Sequence, residues 1–426
     1  MLTVGDIIVG NVIDVDYHGQ GVIKHDGYVI FVKGLLKDEE VKIKITKLRK
    51  NFGEGILFEL IKKSPDRIYH PQSILGSCDL LHMNKEAQLI WQEKTTKETI
   101  YKIIGLNVDV EKTISDDKVN NYRNKSVFHV MDKPYLSLGL YHKDDHRLVE
   151  VTSFILSDMK TNEILYHLNQ HKIIIDSKVL KHIVIRTNPM NEALVTLVAN
   201  HKKFTGLDKL IIHLLKLKNI KGITLNLSIK DDEILSSESI VLYGDNRLME
   251  PLHHKQISIN DRSFFQINLP VATQVYELIK SHILPHSHVI DAYSGVGSIG
   301  FYIEDKVSHI TMIESNKDSY EMACETKEKY NLNHVELVLS KAEDVIESYQ
   351  ADVLIIDPPR NGLMPLLLQK LETHVFKQIF YLSCDAKTLA RDLQSLSKIY
   401  TIDAVFPIRM FYNTTSLETL VILSKK

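Results

Sequence analysis

Four short stretches carry residue types that could do chemistry together. Asp291-Ala-Tyr-Ser-Gly295-Val-Gly297-Ser298 follows the apolar run His288-Val-Ile and precedes a helix-period segment. Glycines there let the backbone turn tightly and approach a ligand. The run lacks the Lys-Ser/Thr of a phosphate loop, and Phe301 after Gly300 interrupts a full G-x-G-x-x-G. Nineteen residues beyond Gly295, Glu314 ends the next apolar run. An acid at a second strand end is positioned to bind ribose hydroxyls, so loop and acid together predict a nucleoside-cofactor site. Asp357-Pro358-Pro359-Arg360 follows Val353-Leu-Ile-Ile. Its prolines stop the strand and stiffen a loop at the carboxyl edge of the sheet, where open α/β folds bind ligands. Ser383-Cys384-Asp385 stands at a further strand end, after Ile379-Phe-Tyr-Leu. Most strand-end cysteines are inert small hydrophobes; sharing this sheet edge makes Cys384 a candidate nucleophile. Glu418, entering the last strand, is a carboxylate that needs a context.

The elements that must position these residues are legible as patterns. After about residue 265, helix-period segments alternate with short apolar strands, which predicts a parallel, doubly wound α/β sheet. Residues 1–60 read instead as short strands punctuated by Gly19, Gly21, Gly27, Gly34, Gly53 and Gly55, the spacing of a small oligonucleotide-binding type of barrel. In Val41-Lys42-Ile43-Lys44-Ile45 the period of two puts lysines on one face, and residues 41–50 hold five basic groups and no acid. That stripe is either a solvated strand edge or an RNA-facing surface. Residues 61–85 look like a linker, 85–104 a helix, and 120–250 a mixture of strands with an amphipathic helix at 206–218. The expected division is a barrel over 1–62, a linker and central α+β domain over 63–255, and the α/β domain over 256–426.

The chain is 426 residues long, 44% hydrophobic and 25% charged, which excludes a wholly disordered protein. Its net charge of −2 advertises no global attraction to nucleic acid, although a local basic face fits within a neutral total. Three scattered cysteines, Cys78, Cys324 and Cys384, make neither a disulfide framework nor a closed zinc site. The first residues carry no basic signal-type region and no stretch approaches the length of a membrane span, so the expectation is a cytoplasmic protein with no membrane association. The 20 histidines read as solvated surface, and no metal is expected.

Taken in order, these stretches resemble the RNA uridine C5-methyltransferase family. The matching residues are Ser263-Phe-Phe-Gln266-Ile-Asn268, Asp291 to Gly297, Asp357 to Arg360, Ser383-Cys384-Asp385 with Thr388-Leu-Ala-Arg-Asp392, and Glu418. Upstream, Tyr122-Arg-Asn-Lys125 and His82-Met83 with Glu86-Ala-Gln88 fit the pattern as well, and the N-terminal barrel is similar to the TRAM module of members acting on ribosomal RNA. The resemblance implies a C-terminal Rossmann-like domain using S-adenosylmethionine, a small OB-like TRAM barrel and a central α+β domain. It implies Gln266, Tyr293, Ser298, Glu314 and Asp357 as cofactor contacts, Cys384 as nucleophile and Glu418 as general base. It implies RNA as partner, 23S ribosomal RNA ahead of transfer RNA, with no obligate protein partner evident.

The chain also departs from the pattern. Many relatives hold an iron–sulfur cluster on four cysteines; here Cys78 stands at one position, with Leu75, about Tyr69 and about Phe154 at the others. One thiol cannot ligate a cubane cluster, so none is expected. The usual Asn-Pro after the nucleophile is Asp385-Ala386, and Ser416 replaces a histidine two residues before the base. Those changes motivate an alternative: a catalytically silent RNA-binding or ribosome-assembly factor. The intact Cys384 and Glu418 argue for catalysis. Phe264, Phe265, Phe411 and Tyr412 are candidates to stack on RNA, and Arg360 or Arg391 to meet phosphate or a uracil carbonyl.

Overall fold

In the computed structural model, which describes residues 2–145, 147–228 and 234–426, the N-terminal strands close on themselves. Strands Ile7–Val15, Gln20–His25, Tyr28–Lys33, Glu40–Leu48 and Phe52–Lys62 form a closed five-stranded barrel. The period-two stretch does what its alternation requires: Val41, Ile43 and Ile45 fill the barrel while Lys42 and Lys44 face outward. The basic stripe is partly neutralised, because Lys42 pairs with Glu59 at 2.7 Å and Lys47 with Glu54 at 3.2 Å. Lys44, Arg49 and Lys50 make no ion pair among the described residues.

The middle of the chain forms a seven-stranded sheet, in the order Ser239–Gly244, Ile220–Leu227, Ala193–Ala199, Leu180–Thr187, Lys125–Val130, Leu138–Tyr141 and Leu148–Glu150. Only Ala193–Ala199 and Ile220–Leu227 run parallel. Helices Met159–Gln170 and Leu207–Leu215 bury Ile164, Leu165, Leu168, Leu210 and Leu214 in the same core as its strands.

The helix predicted over 85–104 spans Lys85–Ile104. The Asn84 side chain accepts from Ala87 N at 2.8 Å, and Gly105 at φ +73° ends the helix in the left-handed region that suits glycine. Its buried face is unusually polar, with Gln88, Gln92, Thr95, Thr96 and Thr99 beside Trp91 and Ile100. The helix packs against helix Ala386–Leu396 of the C-terminal layer. The hairpin Leu248–Leu252 and Lys255–Ile259 also buries its apolar residues with the C-terminal strands.

The C-terminal sheet runs in the order Val335–Leu339, His309–Glu314, His288–Ala292, Val353–Ile356, Gln378–Ser383, Glu418–Lys425 and Tyr400–Ile408. Its first five strands are parallel, Glu418–Lys425 runs against them and Tyr400–Ile408 runs against Glu418–Lys425, so the parallel sheet expected from the sequence holds for five strands and is mixed at one edge. Tyr400–Ile408 was hidden by Pro407, which lacks a ladder donor; an edge position accommodates it. Apolar clusters lie on both faces. The chain leaves His288–Ala292 to opposite sides, toward His309–Glu314 and toward Val353–Ile356, and so opens a crevice at the carboxyl ends of these strands. Among the described residues no helix is long and apolar enough to cross a membrane.

Candidate active site

At that crevice the chain closes a cavity of about 630 Å³. Gln266, Tyr293, Glu314, Asp357, Cys384 and Glu418 all line it. Ser298 lines a narrow extension that it shares with Gln266, Tyr293 and Asp357. The seven residues singled out from sequence are therefore brought together, although they span residues 266 to 418.

Each is held for a local reason. Gly295 and Gly297 take φ of +58° and +84°, and Tyr293 itself sits at +62°, a conformation uncommon for a bulky residue. Gly300 lies so close to Met312 that a Cβ there would approach its Cε to 2.2 Å. Glu314 stitches the loop to its strand: Oε2 accepts from Gly295 N at 2.8 Å and Oε1 from Asn316 N at 2.5 Å. Each oxygen retains a lone pair. Gln266 Nε2 donates to Asp357 Oδ2 at 3.3 Å, joining the Ser-Phe-Phe-Gln stretch to the Asp-Pro-Pro loop. Ser298 hydrogen-bonds Tyr276, which is fully buried beneath the loop.

Cys384 ends its strand half-buried, and Asp385 then starts the following helix. Asp385 Oδ1 accepts from Lys387 N at 2.9 Å and Thr388 N at 2.8 Å, so this departure from the family pattern acts as a helix N-cap. Ala386 is buried with Val15, Leu36, Leu80, Met83, Trp91 and Leu417, where the barrel meets the C-terminal layer.

The site is rich in carboxyls held out of water. Burial pushes the Glu418 carboxyl up to about 8, aided by the Asp357 carboxylate and opposed by Arg360. Burial likewise pushes Asp357 up to about 7, while its hydrogen bond from Gln266 opposes the rise. Asp291, under the glycine loop, rises to about 8 through burial, despite accepting from Gly300 N at 3.0 Å. The Cys384 thiol is pushed up to about 11, by burial first and then by Glu418 and Asp357, with Arg360 opposing. Arg360 is thus the cation that favours both ionised forms. Glu418 Oε2, Asp291 Oδ1 and Tyr293 Oη are buried without a hydrogen-bond partner. Buried polar atoms left so are costly unless a ligand completes them, which fits a polar guest in this cavity.

Glu418 is positioned from behind by glutamines that the sequence did not reveal as a pair. Arg409, fully buried, donates to Gln88 Oε1 at 2.5 Å, to Thr414 O at 3.1 Å and to Gln92 Oε1 at 3.5 Å. Gln92 Nε2 donates to Ile408 O at 2.7 Å and Glu418 O at 3.3 Å, and Gln88 Oε1 accepts from Asn413 N at 2.9 Å. The polar face of helix Lys85–Ile104 thus holds the segment 408–418.

Of the four aromatic candidates, Phe264 and Phe411 line the cavity, while Phe265 and Tyr412 are core residues. Arg360 faces the cavity; Arg391 instead pairs with Asp392 and donates to Asn361 O. Arg262 and Asn316 also line the cavity and were not anticipated. Asn316 caps helix Lys317–Tyr330 by accepting from Ser319 N at 3.0 Å, a signal the sequence carried as Asn-x-x-Ser. Around Cys78, which is fully buried, Leu75 and Phe154 share one apolar cluster and Tyr69 is exposed. These residues do not fit an iron–sulfur cluster.

The mixed sheet, the glycine loop at its switch point and the acid at the end of the adjacent strand define a Rossmann-like methyltransferase. The fold matches the crystal structure of a Pyrococcus abyssi tRNA (uracil-54, C5)-methyltransferase in complex with S-adenosyl-L-homocysteine, with a TM-score of 0.78 at 22% identity, over 98% of this chain and all of that one. The sequence profile of the tRNA (uracil-5-)-methyltransferase family matches residues 86–426, and that of the TRAM domain residues 4–58. Uncharacterized RNA methyltransferases of Clostridium tetani and Staphylococcus epidermidis are each 30% identical, over 95% and 99% of this chain and 94% and 98% of their own. One from Fusobacterium nucleatum is 29% identical over the full chain and 97% of its own. The chain belongs to the tRNA (uracil-5-)-methyltransferase family, and is an S-adenosylmethionine-dependent RNA methyltransferase with an N-terminal TRAM barrel.

Proposed function

We propose that the protein methylates C5 of a uridine in structured RNA, with Cys384 as covalent nucleophile and Glu418 as general base. The observation that carries the reading is the meeting of a strand-end thiol and a buried, partnerless carboxylate in one cavity with the cofactor-type loop. Gln266, Tyr293, Ser298, Glu314 and Asp357 would hold S-adenosylmethionine, which supplies an electrophilic methyl group when bound.

C5 of uracil is too weak a nucleophile to take a methyl group unaided. Cys384, as thiolate, forms a bond to C6, and the ring's π electrons move to give an enolate with carbanion character at C5. Arg360 favours the thiolate and is positioned at the mouth to meet the developing charge. Once C5 carries the methyl group, Glu418 takes its remaining proton, the 5,6 double bond re-forms and the C6–S bond breaks. Such a base must be ionised, and a carboxyl near 8 binds that proton well and returns it to water slowly at lower pH. The uridine must leave its stack to reach Cys384, which costs a few kcal/mol; Phe264 and Phe411 are the side chains available to stack on it.

The barrel supports ribosomal RNA, 23S first, as substrate, with residues 1–62 as an RNA-holding module. Transfer RNA is the second reading, supported by the likeness to a tRNA-acting structure that extends over 98% of this chain, barrel included. RNA carrying 5-fluorouridine tests the covalent step, because fluorine at C5 cannot leave as a proton. A stable protein–RNA adduct lost in Cys384→Ala is expected; its absence with an RNA that is methylated when unmodified would overturn the mechanism.

A further inference from the structure

The sequence reads the histidines as solvated surface, yet three converge in the central domain, away from the catalytic cavity's lining. His167 lies in the last turn of helix Met159–Gln170, His171 caps its C-terminus, and His213 lies in the last turn of helix Leu207–Leu215. Ring centroids are 4.2 Å apart for His167–His171, 4.6 Å for His171–His213 and 5.8 Å for His167–His213. One ring nitrogen from each lies within 4.8 Å of the others.

The rings are also prepared for a ligand. His167 Nε2 lies 3.0 Å from His213 O, and His171 Nδ1 lies 2.7 Å from His167 O. A carbonyl only accepts, so these nitrogens carry the protons and His167 Nδ1 and His171 Nε2 are left with lone pairs. Metal-bound imidazoles are held in this way, the far N–H donated to a backbone carbonyl that fixes tautomer and tilt. The third ring shows the complementary defect: His213 Nδ1 is buried with no hydrogen-bond partner.

We propose that His167, His171 and His213 form a three-imidazole site for a borderline divalent transition-metal ion, zinc(II) by ligand chemistry, that clamps the ends of two helices of the central domain. Tetrahedral zinc with N ligands near 2.0–2.1 Å needs nitrogens roughly 3.4 Å apart, so the rings would draw together by about an ångström. The exposed His171 leaves a route to solvent and a fourth position for water. The Lys216 charge works against a cation here, whereas the Glu163 carboxylate, one turn before His167 on the same helix, works for it. The role is structural, since none of the three lines the catalytic cavity.

The test uses full-length, tag-free protein, stripped with chelator, then dialysed against zinc(II) and, in parallel, cobalt(II). One equivalent of zinc per chain, a raised Tm and the visible absorption of tetrahedral cobalt are expected. His171→Gln, an exposed substitution at a helix end, should weaken binding by about tenfold or more while keeping the metal-free Tm. His213→Gln should do the same. Stoichiometry below one in the wild type, or zinc retained at full affinity in His171→Gln, overturns the site. Should His213→Gln fail to fold, the His171→Gln result alone decides.

Discussion

The Tyr17 hydroxyl donates to Asp385 Oδ2 at 3.2 Å and so joins the barrel to the residue after Cys384. The contact is reinforced on both sides: Lys387 Nζ sits 4.4 Å from the Tyr17 ring centroid, and Trp91 Nε1 donates to Asp16 O at 2.9 Å. Asp385 therefore does two things at once, capping its helix with one oxygen and receiving the barrel with the other. The barrel is not a remote appendage; its Asp16–Gln20 turn is seated beside the loop that carries Cys384.

Tyr17→Phe removes that hydrogen bond and leaves the ring. A half-exposed bond to a carboxylate contributes about 1 kcal/mol, so kcat/KM for RNA should fall roughly fivefold. Affinity for S-adenosylmethionine, measured by calorimetry, should be unchanged, because Tyr17 does not line that cavity. A fall in cofactor affinity instead would show that the barrel shapes the cofactor site.

Glu418→Gln separates bond formation from elimination. The variant should still attack uridine, stall before releasing Cys384, and lose turnover by about a hundredfold or more. The stalled species is readable as a slow-migrating protein–RNA band on a denaturing gel with ordinary RNA. For the wild type, turnover should climb most steeply with pH up to about 8, where Glu418 ionises, and go on rising less steeply above it, because the Cys384 thiol is pushed up to about 11.

The same carboxyls make stability depend on pH. Asp291 and Glu418 are pushed up to about 8 in the folded protein, against roughly 4 in an unfolded chain. Between those values the native state holds protons that the unfolded state has released, so stability falls as pH rises from about 4 through about 8. Glu418→Gln has nothing to ionise and should gain about 1–3 kcal/mol over the wild type at pH 8 without ligands. Denaturant melts at pH 6 and pH 8 check this; equal slopes for the two proteins would contradict the burial argument.

Gln88→Ala tests the support behind Glu418. It strips a 2.5 Å acceptor from the buried Arg409 guanidinium and two partners from Asn413. Leaving a buried cation short of acceptors should cost about 2–4 kcal/mol. Activity should fall further than stability explains, read as lower kcat at a temperature where the variant is fully folded.

What was legible in the sequence was local. Glycine loop, Glu314, Asp-Pro-Pro-Arg and Ser-Cys-Asp each lie within a few residues of a strand end, and a parallel sheet delivers its strand ends to one edge. What escaped depends on long-range pairing. Tyr400–Ile408 is a strand only because the edge of the sheet tolerates Pro407. The Tyr17–Asp385 bond spans 368 residues, and Gln88 meets Arg409 across 321. His167 and His171 are four apart and lay in view, but without His213, brought by another helix, a pair is not a site. Phe265 and Tyr412 read like Phe264 and Phe411, since sequence does not say which side of a loop an aromatic faces.

Uridine C5 methylation through Cys384 is open to direct assay by methyl transfer. Labelled S-adenosylmethionine would be incubated with unmodified 23S ribosomal RNA and, separately, transfer RNA, then the RNA digested and its nucleosides identified by mass. Label is expected in 5-methyluridine from ribosomal RNA, abolished by Cys384→Ala in a protein that still binds the cofactor. Label in another nucleoside, or 5-methyluridine undiminished in Cys384→Ala, would contradict it.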